Sequence, residues 1–175
     1  GVLQSFVMRN YNDPEGGAIE LVLAEGSGSY PFTLHFGTIE NRAAEDLFQV
    51  EKTRASGKTT VEFSRDYRID GKTVSLVKRY TFADGEYLFS HEVELQGGAE
   101  ETAAVPYALV LGPQIGSDFK TLSIRTDYRH FVYQGERKKR SFATTGGSIR
   151  RVEDLSSWCG IEGKDFPLLA SVRGA

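Results

Sequence analysis

The sequence predicts an all-β protein built from antiparallel strands, and three observations support that fold class. Runs in which apolar and polar residues alternate recur along the 175 residues, as in strands that bury one face. Clusters rich in Gly, Asn, Asp and Ser separate these runs, typically after about 8 to 12 residues. No stretch keeps a 3.6-residue apolar period for about 12 residues, so only a few short helical turns are expected. About a dozen short strands indicate an antiparallel two-sheet sandwich rather than a parallel α/β fold.

The amino-terminal part is predicted to form short strands separated by turns. These strands are expected at residues 3–8, 18–23, 32–36 and 47–51. The third is the clearest, because Phe32, Leu34 and Phe36 alternate with polar residues. Residues 41–46 are long enough for one helical turn only.

Residues 59–95 are predicted to form a three-stranded meander around Asp70-Gly71 and Asp84-Gly85. An Asp-Gly pair favours the positive backbone torsions of a two-residue type I′ loop. The first loop predicts the facing pairs Tyr67 with Val74, Arg65 with Leu76, Phe63 with Lys78, and Val61 with Tyr80. The second predicts Phe82 with Tyr87, Tyr80 with Phe89, Lys78 with His91, Leu76 with Val93, and Val74 with Leu95.

Both loops assign the same residues to one face of this sheet. That face is mostly apolar, whereas the other carries Ser, Thr, Arg and Glu, with Val77 and Leu88 as exceptions. Since a one-residue slip would exchange the faces, the agreement indicates a twisted antiparallel sheet whose apolar face needs a cover. Four rings are expected to pack against a second sheet: Tyr80, Phe82, Tyr87 and Phe89.

The carboxyl-terminal part is predicted to contain more short strands after an acidic, Gly-containing connection at residues 96–102. These strands are expected at residues 107–111, 119–125, 129–133 and 138–144, with a final hairpin of 158–161 and 166–172. The first of them ends at Gly112 and Pro113, because proline lacks the N–H that a strand ladder requires. Residues 153–157 are expected to form a short helical turn.

Composition and motifs argue against several classes of function. The net charge of −3 lacks the basic excess of a nucleic-acid-binding protein. Cys159 is the only cysteine, so a cysteine-based zinc site cannot form. The histidines His35, His91 and His130 lie in different predicted strands without metal-ligand spacing. Because catalytic and phosphate-binding motifs are also missing, the residues alone nominate no catalytic, cofactor-binding or metal-binding residue.

His91 is the one histidine that the predicted register places near other polar groups on the apolar face. It is expected opposite Lys78 and near Arg65. These three residues either line a concealed site or have a structural role, in which this end of the sheet meets solvent or a carboxylate pairs with the cations. The structural interpretation is favoured.

The cluster Arg137, Lys138, Lys139 and Arg140 is the most basic segment of the sequence. As a functional feature it would contact lipid headgroups or an acidic partner. As a structural feature it would be a charged hairpin that discourages pairing between sheet edges. Both interpretations predict a solvent-exposed turn.

Five segments, taken in order, resemble a known family. They are Leu3-Gln4-Ser5-Phe6 followed by Tyr11-Asn12-Asp13, residues 80–87, residues 111–116, Asp127-Tyr128-Arg129, and residues 158–166. With these segments the sequence resembles the periplasmic domain of the YidC family of membrane protein insertases (YidC/Oxa/Alb). The resemblance covers nearly the whole sequence.

The resemblance implies a galactose-mutarotase-like β-supersandwich, formed by residues 1–175 as a single monomeric domain of a larger membrane protein. It implies a non-catalytic role in the insertion, folding and assembly of inner-membrane proteins, alone or with the Sec translocon. The implied partners are Sec subunits (SecD, SecF and SecYEG) and nascent membrane-protein segments. The implied location is the periplasmic side of the bacterial inner membrane, to which the full-length protein is tethered.

Two alternatives stay open at the level of the sequence. The same architecture is found in carbohydrate-binding modules and aldose epimerases. An epimerase would need a histidine and a carboxylate in one cleft, and His91 is the histidine that could serve. The other alternative is a structural spacer. Under the insertase hypothesis, partner segments would bind in a groove or along an exposed edge strand.

Overall fold

The computed structural model describes residues 1–12, 15–22, 30–69, 71–97, 106–111, 130–143, 152–153, 155–162 and 167–171. Within these residues the chain forms antiparallel strands joined by turns and bends, without a helix. The strands are Val7–Asn12 (β1), Ala18–Glu20 (β2), Thr33–Phe36 (β3), Gln49–Ala55 (β4), Lys58–Ile69 (β5), Lys72–Ala83 (β6), Phe89–Gly97 (β7), Tyr107–Val110 (β8), His130–Gly135 (β9), Lys139–Ala143 (β10), Leu155–Glu162 (β11) and Pro167–Ser171 (β12). The predicted all-β antiparallel fold class is confirmed.

Backbone contacts divide the chain into two compact units. The first contains Gly1–Val2 and Phe32–Val110, and the second contains Leu3–Pro31 and Leu111–Ala175. The first unit has a four-stranded sheet in the order β4-β5-β6-β7 and a two-stranded sheet of β3 and β8. The second has the β1-β2 pair and a four-stranded sheet in the order β10-β9-β11-β12. The interpretation of residues 1–175 as one domain stays a prediction.

The meander of the first unit begins one strand earlier than predicted. Ser56 and Gly57 have φ of 51° and 70°, and Ala55 pairs with Lys58 across them. Positive φ at both central residues is the mark of a type I′ loop, whose twist suits two antiparallel strands. β4 is therefore joined to β5 as the first strand of the sheet.

The loop between β5 and β6 follows the predicted register. Ile69 pairs with Lys72, Tyr67 with Val74, and Val61 with Tyr80, as the Asp-Gly rule requires. Gly71 has φ of 80°, a backbone conformation that glycine adopts without steric cost. Asp70 lies outside the described residues.

The predicted register of β6 and β7 is wrong by two residues. Tyr80 pairs with His91 rather than with Phe89, and Lys78 pairs with Val93. A type I′ loop needs positive φ at both central residues, but Gly85 has φ of 77° and Asp84 has a negative φ.

Contacts with the neighbouring hairpin explain the longer loop. The N–H of Asp84 donates to the carbonyl of Gly57 at 2.8 Å, and its carboxylate accepts a hydrogen bond from Arg54 at 2.8 Å. Asp84 is thus held against the β4–β5 loop, and the pairing with β7 begins only at Phe89.

Because the shift is an even number of residues, the two faces of the sheet stay as predicted, except in the loop itself. Tyr80 is buried, and the ring of Phe82 stacks on Phe89 with centroids 5.2 Å apart. Tyr87 does not face a second sheet, since it lies in the loop and is 42% exposed, and Leu88 beside it is 80% exposed.

Val77 was predicted to face solvent, but it is buried on the outer face. It lies on the central strand β6 between Ser64 and Glu94. Next to it, Arg79 forms ion pairs with Glu62 at 2.6 Å and with Glu94 at 2.7 Å. Long charged side chains from three strands therefore cover the outer face around Val77.

The two sheets of the first unit enclose its core. Leu34 of β3 and Leu76 of β6 are fully buried and form a cluster with Ala44. Partly buried apolar side chains surround this cluster: Phe36, Phe48, Tyr67, Val93, Leu95 and Leu109. The pair β3 and β8 thus supplies the cover that the apolar face of the meander requires.

The predicted helical turns are not found. Residues 41–46 contain bends and an isolated bridge between Ala43 and His35, and Leu155–Glu162 is a strand. The N–H of Ala44 donates to the carbonyl of Leu34 at 2.8 Å. The segment therefore continues the β-type pairing of the cover. The predicted strand at 119–125 lies outside the described residues.

The second unit contains the predicted final hairpin, in which β11 pairs with β12 from Trp158 with Ser171 to Glu162 with Pro167. Val132 of β9 is buried, and Trp158 is half-buried, in line with a structural role. In the β1–β2 pair, the Glu20 carboxylate accepts hydrogen bonds from the N–H groups of Phe6 at 2.7 Å and Val22 at 2.9 Å.

Candidate functional site

Lys78 lies on the central strand β6, on the face that is covered by β3, and is only 2% exposed. Its Nζ donates hydrogen bonds to the carbonyl of Phe32 at 2.5 Å and to the carbonyl of Gly1. The sequence interpretation offered solvent or a carboxylate as partners for this cation. The structure instead provides backbone carbonyls in an apolar setting.

Burial lowers the pKa of Lys78 from 10.5 to about 8. The physical cause is the loss of hydration of the ammonium group, which two neutral carbonyls replace only in part. Lys78 is therefore a buried charge at neutral pH, held by polar but uncharged partners.

His91 is a diagonal neighbour of Lys78 rather than its direct partner. Its ring packs between Tyr80, at a centroid distance of 4.4 Å, and Phe32, at 4.9 Å. Burial, together with the charge of Lys78, lowers the pKa of His91 to about 4, so the imidazole is neutral at physiological pH. Its Nε2 is buried without a hydrogen-bond partner among the described residues.

Phe32 connects this cluster to the cover. Its φ of 65° is a left-handed conformation that is unfavourable for a bulky side chain. The N–H of Phe32 donates to Val110 at 2.6 Å, its carbonyl accepts from Lys78, and its ring packs on Phe89 at 5.6 Å. A strained backbone of this kind persists only where the surrounding contacts determine it.

Arg65, the third polar residue named from the sequence, lies apart from His91. It donates to the carbonyl of Leu47 at 2.6 Å and lies 3.9 Å from the Asp46 carboxylate. For Arg65, therefore, the predicted structural partner, a carboxylate, is present. Burial and the same Asp46 together raise the pKa of the neighbouring Tyr67 to about 12.

An epimerase would need a carboxylate beside His91. Among the described residues, burial is the main cause of the lowered pKa of His91, followed by the ammonium groups of Lys78 and of the amino terminus, and no carboxylate is among these groups. In the part of the chain that the structure describes, no group of His, Cys, Asp and Glu has the geometry of a metal site. Within the described residues, the cluster joins the cover to the sheet through the hydrogen bond from Lys78 to Phe32 and the contact between the rings of Phe32 and His91.

The basic cluster lies where β9 turns into β10, the edge strand of its sheet. All four of its residues are exposed. Lys139 forms an ion pair with Glu162 at 2.6 Å, whereas Arg137 and Lys138 lie in the turn. The predicted exposed hairpin is therefore observed, and its role in partner or headgroup contact stays a prediction.

The edge strand β4 is a feature that the sequence interpretation did not single out. All seven of its residues are exposed, and β5 is its only neighbour among the described strands. Val50, an apolar side chain, is 60% exposed. The sequence signal was the Ser56-Gly57 loop, which places residues 49–55 at the edge of the meander.

Comparison with known proteins gives the family. The family model described as the YidC periplasmic domain matches residues 1–166. The chain belongs to this family. It is also 33% identical over 148 residues to the membrane protein insertase YidC of Treponema denticola, an alignment that covers 78% of this chain and 25% of that relative.

The chain therefore spans about a quarter of the length of this curated YidC relative. No solved structure is detectably similar to the chain. The described residues include no helix long and apolar enough to cross a membrane. The family match confirms the resemblance that the ordered segments indicated.

Proposed function

We propose that this chain is a non-catalytic periplasmic domain of a membrane protein insertase, and that it assists the insertion, folding and assembly of inner-membrane proteins. The observation that carries the proposal is the match of residues 1–166 to the YidC periplasmic domain. The full-length protein acts at the bacterial inner membrane, alone or with the Sec translocon. Sec subunits and nascent membrane-protein segments are its partners.

The described structure supports a binding role rather than a catalytic one. On the covered face of the sheet, Lys78 donates to backbone carbonyls and the His91 ring packs between two aromatic rings. Among the described residues, the edge strand β4 and the basic turn at Arg137 and Lys138 are accessible. Both are surfaces on which another chain can be held without a chemical step.

The test uses a full-length insertase that carries this domain, expressed in cells depleted of their own insertase. Deletion of the domain is expected to lower the insertion of an inner-membrane reporter, measured by protease accessibility from the periplasm. Photo-crosslinkers at exposed positions are expected to capture Sec subunits or the reporter. Unchanged insertion after the deletion, with no crosslinked product, would instead favour a structural spacer.

The basic cluster is proposed to contact anionic groups, such as lipid headgroups or an acidic partner. Arg137 and Lys138 are exposed in the turn, while Lys139 is already paired with Glu162. Replacing Arg137 and Lys138 by Glu is expected to reduce cosedimentation with vesicles that contain anionic lipid. Unchanged cosedimentation would exclude the headgroups.

A further inference from the structure

The backbone of β4 exposes one row of hydrogen-bonding groups at the edge of its sheet. Ala55 and Lys58 flank the two-residue loop, so they form a hydrogen-bonded pair. Bonded and non-bonded pairs alternate along antiparallel strands. The residues that direct their N–H and C=O groups toward β5 are Ala55, Thr53, Glu51 and Gln49. The residues between them, Arg54, Lys52 and Val50, direct theirs away from the sheet.

Exposure shows that this edge is accessible. Every side chain of β4 is exposed, so neither face of the strand is covered near its outer edge. Val50 lies beside Phe63 and Lys52 beside Val61, on the face that is apolar further into the sheet. Lys52 has no ion-pair partner within the part of the chain that is described, whereas Arg54 is paired with Asp84 at 2.8 Å.

A second copy of the chain is a poor occupant of this edge. Most symmetric antiparallel registers of two β4 strands place like charges opposite each other. Centred on Lys52 the pairing opposes two lysines, centred on Glu51 two glutamates, and centred on Thr53 it opposes Lys52 and Arg54. Centred on Val50 it opposes no like charges, but only Gln49–Glu51 of each β4 strand then overlap. Like charges in directly opposed positions are destabilising. The charges thus protect the edge against self-pairing, as in many natural edge strands.

We propose that the outer edge of β4 binds an extended segment of a partner protein as an added antiparallel strand. The segment places an apolar side chain beside Val50 and a carboxylate, two residues away from it, beside Lys52. The outward N–H and C=O groups of Val50, Lys52 and Arg54 supply the backbone hydrogen bonds. The inference rests on the proposed function only for the source of the segment, which is a client protein of the insertase.

Amide hydrogen exchange on the 175-residue chain tests the surface directly, because the edge predicts an alternating pattern. In the free protein the amides of Val50, Lys52 and Arg54 exchange quickly, while those of Glu51 and Thr53 are protected by β5. The probe is a synthetic peptide with Val at the position beside Val50 and Glu at the position beside Lys52. At a free peptide concentration of ten times its Kd, hydrogen exchange of the outward amides should slow about tenfold. The inward amides should change little.

Charge reversal tests the chemistry of the segment. Lys52→Glu is expected to weaken the binding of the acidic peptide roughly fivefold and to favour a peptide with Lys in place of Glu. Lys72→Glu makes the same change of charge at the exposed start of β6, beyond the part of β5 that pairs with β4, so it serves as the matched control and should leave the affinity unchanged.

Three results would overturn the inference. The first is that the outward amides are already protected in the free chain at all protein concentrations. The second is that the peptide protects residues elsewhere in the chain. The third is that protection appears only as the protein concentration rises, which would make a second copy of the chain the occupant. Each of these outcomes is independent of the insertion assay above. If the peptide binds to β4 but insertion is normal after deletion of the domain, the proposed function is refuted and the inference about the edge of β4 still holds.

Discussion

The buried ammonium group of Lys78 makes the stability of this protein depend on pH in an unusual direction. Its pKa falls from 10.5 in a solvated chain to about 8 in the folded one. Between these values the unfolded chain binds a proton that the folded chain has released, so folding becomes more favourable as the pH rises. Below pH 8 both states are protonated, and Lys78 contributes no slope.

The size of this effect follows from the two pKa values. Linkage predicts a gain in the free energy of unfolding of about 1.4 kcal/mol between pH 7 and pH 9, and about 2 kcal/mol by pH 9.5. The neutral amine keeps two N–H groups, so it still donates to the carbonyls of Phe32 and Gly1. The gain therefore reflects the removal of a buried charge and not a change in packing.

Urea unfolding of the wild type and of Lys78→Met across this pH range measures the effect. Met fills a similar volume without a charge, so the part of the rise that belongs to Lys78, about 1.4 kcal/mol between pH 7 and pH 9, should disappear in this variant. The amino terminus of Gly1, whose pKa burial lowers from 8.0 to about 5, contributes a rise that both proteins share. At neutral pH the variant loses two hydrogen bonds but is relieved of the buried charge, and these opposing effects are of similar size. The exposed Lys52→Met is the matched control and should keep the rise of the wild type.

Equal pH slopes in the wild type and Lys78→Met would refute the reasoning. They would mean that the ammonium group is solvated in the folded protein, or that the carbonyls of Phe32 and Gly1 compensate fully for lost hydration. A rise of similar size in both lysine variants would assign the slope to other titrating groups.

Three further predictions concern the same unit. The lowered pKa of His91, about 4, means that stability falls as the pH drops below 6.5, by about 2 kcal/mol at pH 5; acid unfolding of His91→Leu should lack this component, and an unchanged acid limb would contradict it. At Phe32, φ of 65° predicts that the Phe32→Gly variant is more stable than Phe32→Ala by about 1 kcal/mol, the reverse of the usual order. Both variants should lose about 3 kcal/mol or more of the free energy of unfolding, because the ring is removed. Thermal unfolding of the two variants tests their order, and a more stable Ala variant would contradict it. Arg54→Ala should change the free energy of unfolding by less than about 0.5 kcal/mol, because its ion pair with Asp84 is exposed, and a larger loss would show that the pair fixes the long β6–β7 loop.

The sequence was sufficient for features that depend on local pattern. Alternation of apolar and polar residues predicted which face of β5, β6 and β7 is buried, and an Asp-Gly pair predicted the register from Ile69 with Lys72 onward. The basic residues at the β9–β10 turn predicted an exposed hairpin. These predictions succeeded because side-chain period and turn chemistry act over a few residues.

Features that depend on contacts between distant segments were not predictable in this way. The second Asp-Gly pair does not form the expected two-residue loop, because Asp84 is bonded to the β4–β5 hairpin. The partners of Lys78 are carbonyls of residues far away in sequence. No local pattern indicates such partners, and the sequence therefore suggests only solvent or a carboxylate.

By itself, then, the sequence determined an antiparallel β fold, its buried face and its family, because these follow from periodicity and from the order of short segments. The tertiary structure alone decided that β4 is an accessible edge, that Lys78 is a buried cation and that Tyr87 is partly exposed in a loop. Those outcomes depend on which strand covers which, and burial of this kind is a property of the assembled sheets rather than of any single stretch of residues.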